Sequence, residues 1–343
     1  MRIGVEDFAA GEAERGFLGM RNGRMTRNIV LAVDLGGTKL AAALVDCKGK
    51  VLRWKSVNVD GSCALAPVKQ ILELARELAN GKSEKGKVAA AGVAVPGLVR
   101  RNGTVWAPNL PGWEKIKLAR RLKGALGIPV VVESDRNAAV LGEAWRGAAR
   151  GKSDVIVLLL GTGIGAGILS GGRLVRGAHE LSGCAGWMVV RDEDGPEAGR
   201  VGQLESLAAG PAIARAAKKE LARGIGGLLE KIPAETITAY EVAEAARRGD
   251  TVSTEVYLEA GRLLGFGVAN LVSLFDPEIV VIGGGQARAS DLFLDALMEN
   301  MKERAQPITG KQVRVVVSRL GGKANLLGAA RLAWGLARKD RKS

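Results

Sequence analysis

The sequence predicts an α/β fold of two domains, on three observations. Over the first 150 residues, apolar runs of strand length alternate with helical, amphipathic segments. Two apolar runs, Ile29–Val33 and Val155–Leu160, lead into Gly/Thr-rich turns followed at once by further apolar runs. That pattern is strand–turn–strand, not strand–loop–helix. A third run, Ile279–Ile282, ends in Gly283, Gly284 and Gly285. With 343 residues the chain can bury two substantial cores.

In order along the first half, strands are predicted at 29–33, 40–46, 51–58, 88–94 and 128–133. Helices are predicted at 65–80 and 114–126. The run Gly92 to Val95, then Pro96-Gly97, ends a strand at the edge where open α/β sheets bind ligands. A helix over 136–150 is expected to cross into the second domain. There, strands fall at 155–160, 164–170 and 279–282, and helices at 206–223, 239–248 and 252–274. Gly261, Gly265 and Gly267 let the last helix pack closely, at a cost in helix propensity. The Gly-rich stretch 224–227 separates two helices.

Asp34-Leu35-Gly36-Gly37-Thr38-Lys39 is the first turn. Gly36 and Gly37 let backbone N–H groups approach a phosphate. Thr38 adds a hydroxyl and Lys39 a cation, and Asp34 at the strand end is placed to hold magnesium through water. The second turn carries Gly161, Thr162, Gly163 and Gly165. Two such hairpins can hold a nucleotide's phosphates, while Gly283–Gly285 offer flat backbone to a ring or ribose. Neither turn is a Walker A loop, and the second lacks the helix and acidic residue of a dinucleotide fingerprint.

Composition narrows the partners. The 50 Lys and Arg exceed the 36 Asp and Glu, giving a net charge of +14. Such a charge suits a solvated basic surface or an anionic partner such as polyphosphate. Aromatic residues are 4% of the chain and are not interleaved with a basic run, so no specific nucleic-acid site is expected. Cys47, Cys63 and Cys184 have neither disulfide nor metal spacing, which points to a reducing cytoplasm. No apolar run of spanning length occurs, and no membrane partner is expected. Residues 1–27 lack a signal-peptide core and read as a disordered extension or, with Met20 and Met25 as alternative starts, a mis-assigned start.

Taken together, these motifs resemble the ROK family of sugar kinases and sugar-responsive repressors, from about Asn28 to Ala337. Also in order are Val95-Pro96-Gly97, Pro108-Asn109-Leu110-Pro111-Gly112-Trp113, Asp135-Arg136-Asn137-Ala138-Ala139, Leu204-Glu205, Asp276-Pro277-Glu278 and Gly328-Ala329-Ala330. The resemblance implies an actin/hexokinase-like (RNase H-like) fold with the active site in an interdomain cleft. The implied first domain is 28–135 plus 325–343, with helix 325–337 packing back on it. The second is 136–324. Repressors of the family carry a winged-helix domain that 27 residues cannot hold.

The implied activity is ATP- and magnesium-dependent phosphorylation of a sugar or polyol hydroxyl by a homodimer. Asp135 matches the catalytic base; read from its residues alone, it is equally an N-cap, as is Ser134. Gly97, Asn109, Ser134, Asp135 and Glu205 match acceptor-side positions. Trp113 reads as a packing residue, and His179 as a surface or hydrogen-bonding one.

Two departures stand out. Family kinases read Glu-x-Gly-His where this chain has Cys184-Ala185-Gly186-Trp187. Two sugar contacts are therefore replaced, and Cys184 and Trp187 redefine the acceptor pocket. Many members also bind structural zinc through that His and a Cys-x-Cys-Gly-x-x-Gly-Cys stretch. Its cysteine positions are Pro196, Ala198 and Gln203, so no structural zinc is expected. The departures leave two alternatives to an ATP-dependent kinase: a catalytically inactive nucleotide- or sugar-binding regulator, and a polyphosphate-dependent sugar kinase.

Overall fold

The computed structural model describes residues 18–21, 24–80, 86–225 and 227–339. The rest of the 1–27 extension lies outside the described residues. Two compact units emerge. One takes in the described residues up to Gly151, the segment Gly172–Ser182 and those from Gly322 on. The other is Lys152–Gly171 with Gly183–Gly321.

In the first unit, β1 (Leu18–Arg21), β2 (Arg24–Leu35), β3 (Lys39–Val45) and β4 (Val51–Asn58) pair antiparallel in sequence. Helix α1 (Ala66–Ala79) leads to β5 (Gly86–Val95), which joins β2 in parallel. A small hairpin, β6 (Leu98–Val99) with β7 (Val105–Trp106), and α2 (Leu118–Leu126) precede β8 (Val130–Ser134). Strand β8 is parallel to β5, so the sheet order is β4–β3–β2–β5–β8. Helix α2 starts later than the predicted 114, because Ile116 bridges to Val105 instead.

Side-chain alternation sorts this sheet's two faces. Leu31, Val33, Leu35, Ala91, Val93 and Val95 form one core with Ile71 of α1 and Leu118 and Leu122 of α2. The other face carries α3 (Asp135–Arg146) and α11 (Ala324–Lys339). There the backbones touch: a Cβ on Gly92 would collide with the Ala329 carbonyl, and one on Gly328 with that of Ala138. Packing against α11 keeps all of α3 in the first unit, and the chain passes to the second only after Gly151.

In the second unit, β9 (Val155–Leu160) pairs antiparallel with β10 (Ile164–Ser170). On its other side β9 runs parallel to β11 (Ile279–Gly283), and β11 is parallel to β12 (Arg314–Val317). Short helices α4 (Ala198–Val201) and α5 (Gln203–Ala208) precede α6 (Gly210–Ala222) and α7 (Ala239–Arg247). Helix α8 (Thr251–Phe275) is capped by Asp250, which accepts from the Ser253 N–H. It packs on α9 (Ser290–Arg304), with Gly265 against the Leu297 carbonyl, where a Cβ would sit at 2.6 Å. By length and composition alone α8 would pass for a membrane span, but 56% of its most apolar stretch is buried inside the unit. Helix α10 (Pro307–Gln312) follows α9.

Candidate functional site

In the first unit the site begins with two carboxylates. Asp34 lies near the end of β2 and accepts from Asn325 Nδ2 at 3.3 Å. Burial and the charge of Asp135 together push its carboxyl up to about 7, against the weaker pull of Asn325. Asp135 opens α3, and burial raises its carboxyl too, opposed by the Arg136 N–H, which donates to its Oδ1 at 2.8 Å. Two neighbouring acids with raised affinity for protons form a site that favours a cation or a transferable proton.

Asp135 is not the N-cap. That position is Ser134, whose side chain makes no capping bond; its Oγ is buried without a partner. Glu133 fixes this corner instead. Its Oε1 accepts from the Ser134 N–H at 2.9 Å and from Asn137 Nδ2 at 3.0 Å. Its Oε2 accepts from Arg176 Nη2 at 2.7 Å. Arg136 in turn donates to the carbonyls of Ser182 and Glu180. The segment 172–182 is thereby held to the start of α3 on both sides of Asp135. Sequence reading missed Glu133 and Arg176, which are 43 positions apart; a charged residue ending the apolar run Val130–Val132 was the available signal.

Around these acids, the turn after β2 is closed by the Gly36 N–H donating to the Lys39 carbonyl at 2.8 Å. Gly37, Thr38 and Lys39 are exposed on it. Gly97, at φ +87°, makes the tight turn from β5 to β6, where a Cβ would strike the Trp106 carbonyl. Asn109 is exposed on the turn between Ala107 and Trp113, whose backbones are bonded. Trp113 is buried and donates from Nε1 to the Ala64 carbonyl, a packing role. His179 is exposed on the 172–182 segment.

In the second unit, the turn Gly161–Gly163 is braced by Glu205. Glu205 Oε2 accepts from the Ile164 N–H at 2.7 Å, and burial raises its carboxyl. The carboxylate fits because two neighbours lack side chains: a Cβ on Gly163 would lie 2.7 Å from Oε2, and one on Gly186 2.9 Å. Glu205 is the third residue of α5 and does not cap it. Its carboxylate thus joins the phosphate-type hairpin to the turn Ala185–Trp187, with Cys184 half-buried just before it and Trp187 56% exposed. Gly165 lies on β10, and Thr162 is exposed at the hairpin tip.

The expected single helix 206–223 is broken at Ala209, and the Gly210 N–H donates to the Gly161 carbonyl at 2.9 Å. The N-terminus of the 13-residue α6, and its partial positive charge, therefore abut the hairpin. Pro211 in the first turn of α6 was the sequence signal for this start. Gly284, at φ +86°, turns the chain after β11 against Leu160; Gly283 ends the strand, and Gly285 has open space about it.

The sequence pattern of the ROK family matches residues 30–335. The chain belongs to the ROK family. It is 34% identical over 315 residues to a glucokinase of Streptomyces coelicolor, covering 89% of this chain and 97% of that one. Among solved structures, a ROK family glucokinase from Streptomyces griseus in complex with glucose and AMPPNP is similar at a TM-score of 0.73. It is 34% identical and covers 90% of this chain and 99% of its own. A ROK hexokinase from Thermus thermophilus gives a TM-score of 0.76 at 32% identity, over 91% and 99%. These likenesses also carry the actin/hexokinase-like fold expected from the sequence. The zinc found in many ROK members does not fit this chain: Trp187, Pro196, Ala198 and Gln203 offer no thiolate or imidazole. Among the described residues no three or more His, Cys, Asp or Glu gather to hold a metal.

Proposed function

We propose that this ROK protein is a sugar kinase that transfers the γ-phosphoryl group of ATP to a hydroxyl of a sugar or sugar-like alcohol. The observation that carries the reading is the pair of protonation-prone carboxylates, Asp34 and Asp135, in a chain that is similar to glucokinases nearly end to end. Phosphoryl transfer needs positioned phosphates, charge neutralisation and a base for the acceptor hydroxyl. Asp135 is the base, since burial has raised its affinity for the proton it must take. Gly36, Gly37, Thr38 and Lys39, with Gly161, Thr162, Gly163 and Gly165, hold the phosphates. Gly283, Gly284 and Gly285 border the nucleoside.

Asp34 would hold Mg2+ through water. The fit rests on its raised carboxyl, which a divalent cation would relieve, and the bound ion would neutralise phosphate charge. In the first unit Gly97, Asn109 and Ser134 are the acceptor-side residues, and in the second Glu205, Cys184 and Trp187 are. The buried, unpartnered Ser134 Oγ suits a substrate hydroxyl. Trp187 presents an apolar face where relatives present polar groups, so the acceptor has an apolar face or lacks hydroxyls there. The three free thiols suit a reducing cytoplasm, and the resemblance supports a homodimer.

The test is ADP release from Mg-ATP over hexoses, amino sugars, N-acetyl sugars and polyols. Turnover on one class that falls about 10²–10⁴-fold in Asp135→Asn, with ATP binding kept, is the expected result. Full turnover in the variant sinks the base assignment. The replaced polar groups at Cys184 and Trp187 favour a second reading, a regulator that binds nucleotide and sugar without turnover. Sugar binding with no ADP release would select it.

A further inference from the structure

Gln203, the first residue of α5, is 5% exposed and commits its whole amide to one segment. Oε1 accepts from the Val190 N–H at 2.7 Å and the Arg191 N–H at 3.1 Å. Nε2 donates to the Arg191 carbonyl at 3.0 Å, to Asp194 Oδ1 at 2.9 Å and, longer, to the Glu193 carbonyl at 3.4 Å. Beside it the Leu204 N–H donates to the Met188 carbonyl at 3.2 Å. Residues 188–194 belong to no helix or strand, so these bonds are their main backbone partners on α5.

The backbone around Gln203 is shaped to bring the segment in. Gly199 and Gly202 stand where the zinc-binding stretch of the resemblance has its glycines. Gly202, at φ +95°, leaves room for the Gly186 carbonyl and for Trp187 Cα, 2.6 Å from where its Cβ would be. Only the metal ligands are gone. The nearby ion pairs of Glu197 with Arg200 and Arg215 are largely exposed and contribute little.

We propose that Gln203 is a positioning residue that replaces the zinc site with hydrogen bonds. It fastens residues 188–194 and the adjoining Trp187 turn to α5, and so sets Trp187 and Glu205 in place for the acceptor. The link to the acceptor rests on the function proposed above; the fastening itself does not. An amide suits the task because it accepts two N–H groups and donates to a carbonyl and a carboxylate at once. A carboxylate there cannot donate and would face Asp194.

The test has three arms. Protein grown with added zinc is assayed for metal, and its melting temperature and turnover are measured with and without chelator. Substoichiometric zinc and no chelator effect are expected; bound stoichiometric zinc, or a loss on chelation, overturns the replacement. Hydrogen exchange of the 188–194 peptide should quicken at least about tenfold in Gln203→Ala, while peptides of the first unit stay unchanged. Unchanged exchange overturns the fastening. In kinetics the acceptor KM should rise about tenfold or more, with KM for ATP within about twofold. An unchanged acceptor KM overturns the positioning role.

Gln203→Glu alone should mimic the alanine variant. Combined with Asp194→Asn, which restores a donor facing an acceptor, it should recover most of the protection and the KM. If Gln203→Ala does not fold, Asp194→Ala removes one of the bonds, and its exchange must rise by a smaller factor over the same peptide. If wild-type protein phosphorylates nothing, the kinase reading fails and the exchange arm still decides the fastening.

Discussion

Asp34 shows how a buried carboxylate opposes stability. Its carboxyl titrates near 7 in the folded protein and near 3.8 as an ordinary aspartate. The native state therefore binds the extra proton between those values, and stability falls as pH rises from about 4 to about 7. Above 7 the full cost is present, a few kcal/mol at about 1.4 per pKa unit. Asp34→Asn should equal wild type in urea melts at pH 4 and exceed it at pH 8; an equal gain at both would refute burial as the cause. If Asp34 holds Mg2+ as proposed, the ion competes with the same proton. Its affinity, read by titration calorimetry, should fall toward tenfold per unit as pH drops below about 7, and be flat with pH in Asp34→Asn. Both aspartates were legible in sequence, since each closes or follows an apolar strand in a short local motif. The pairing of Glu133 with Arg176 was not, because it joins positions 43 apart that only folding brings near; the role of Gln203 was not, because its partners lie mostly on the backbone of an irregular segment that carries no periodic signal.

At the scale of elements, the deciding contact is between α11 and the sheet with α3. Gly92 and Gly328 let backbone meet backbone, and a methyl group at either would press on a carbonyl that cannot move as a flexible side chain does. Gly328→Ala should cost at least about 1–3 kcal/mol by chemical denaturation, whereas Gly124→Ala, with open space on α2, should cost nothing or stabilise. Equal effects would mean that α11 shifts freely. The longer strand runs of both units and the apolar helix α8 were readable because their apolar patterns are local and strong, whereas the four-residue β12 and the hairpin β6–β7 are too short to show one. The break at Ala209 had a local mark in Pro211, but the apolar pattern of 206–223 runs on across it, and the bond from Gly210 to the hairpin fixes where α6 begins. Helix α9 escaped notice because charges surround its buried stripe of Phe293, Leu297 and Met301. Where one compact unit passes to the other, after Gly151, was not readable, because that division rests on the packing of α3 against α11 and not on composition.

At the scale of the whole molecule, the net charge of +14 separates two phosphoryl donors. Lys115, Lys117, Arg120, Arg121 and Lys123 are exposed along and before α2, so part of the positive charge faces solvent. A long polyanion would feel many such charges at once, and its binding would weaken steeply as salt screens them. ATP meets only the groups that hold its phosphates. With ATP as donor, KM for ATP should change less than about threefold between roughly 0.05 and 0.5 M salt, where screening shortens from over 10 Å to a few ångströms. Polyphosphate added at low salt should then inhibit and be released at high salt. Turnover on polyphosphate that exceeds turnover on ATP at low salt and collapses at high salt would reverse the donor assignment, and would turn the basic surface from a solvated coat into part of the substrate site.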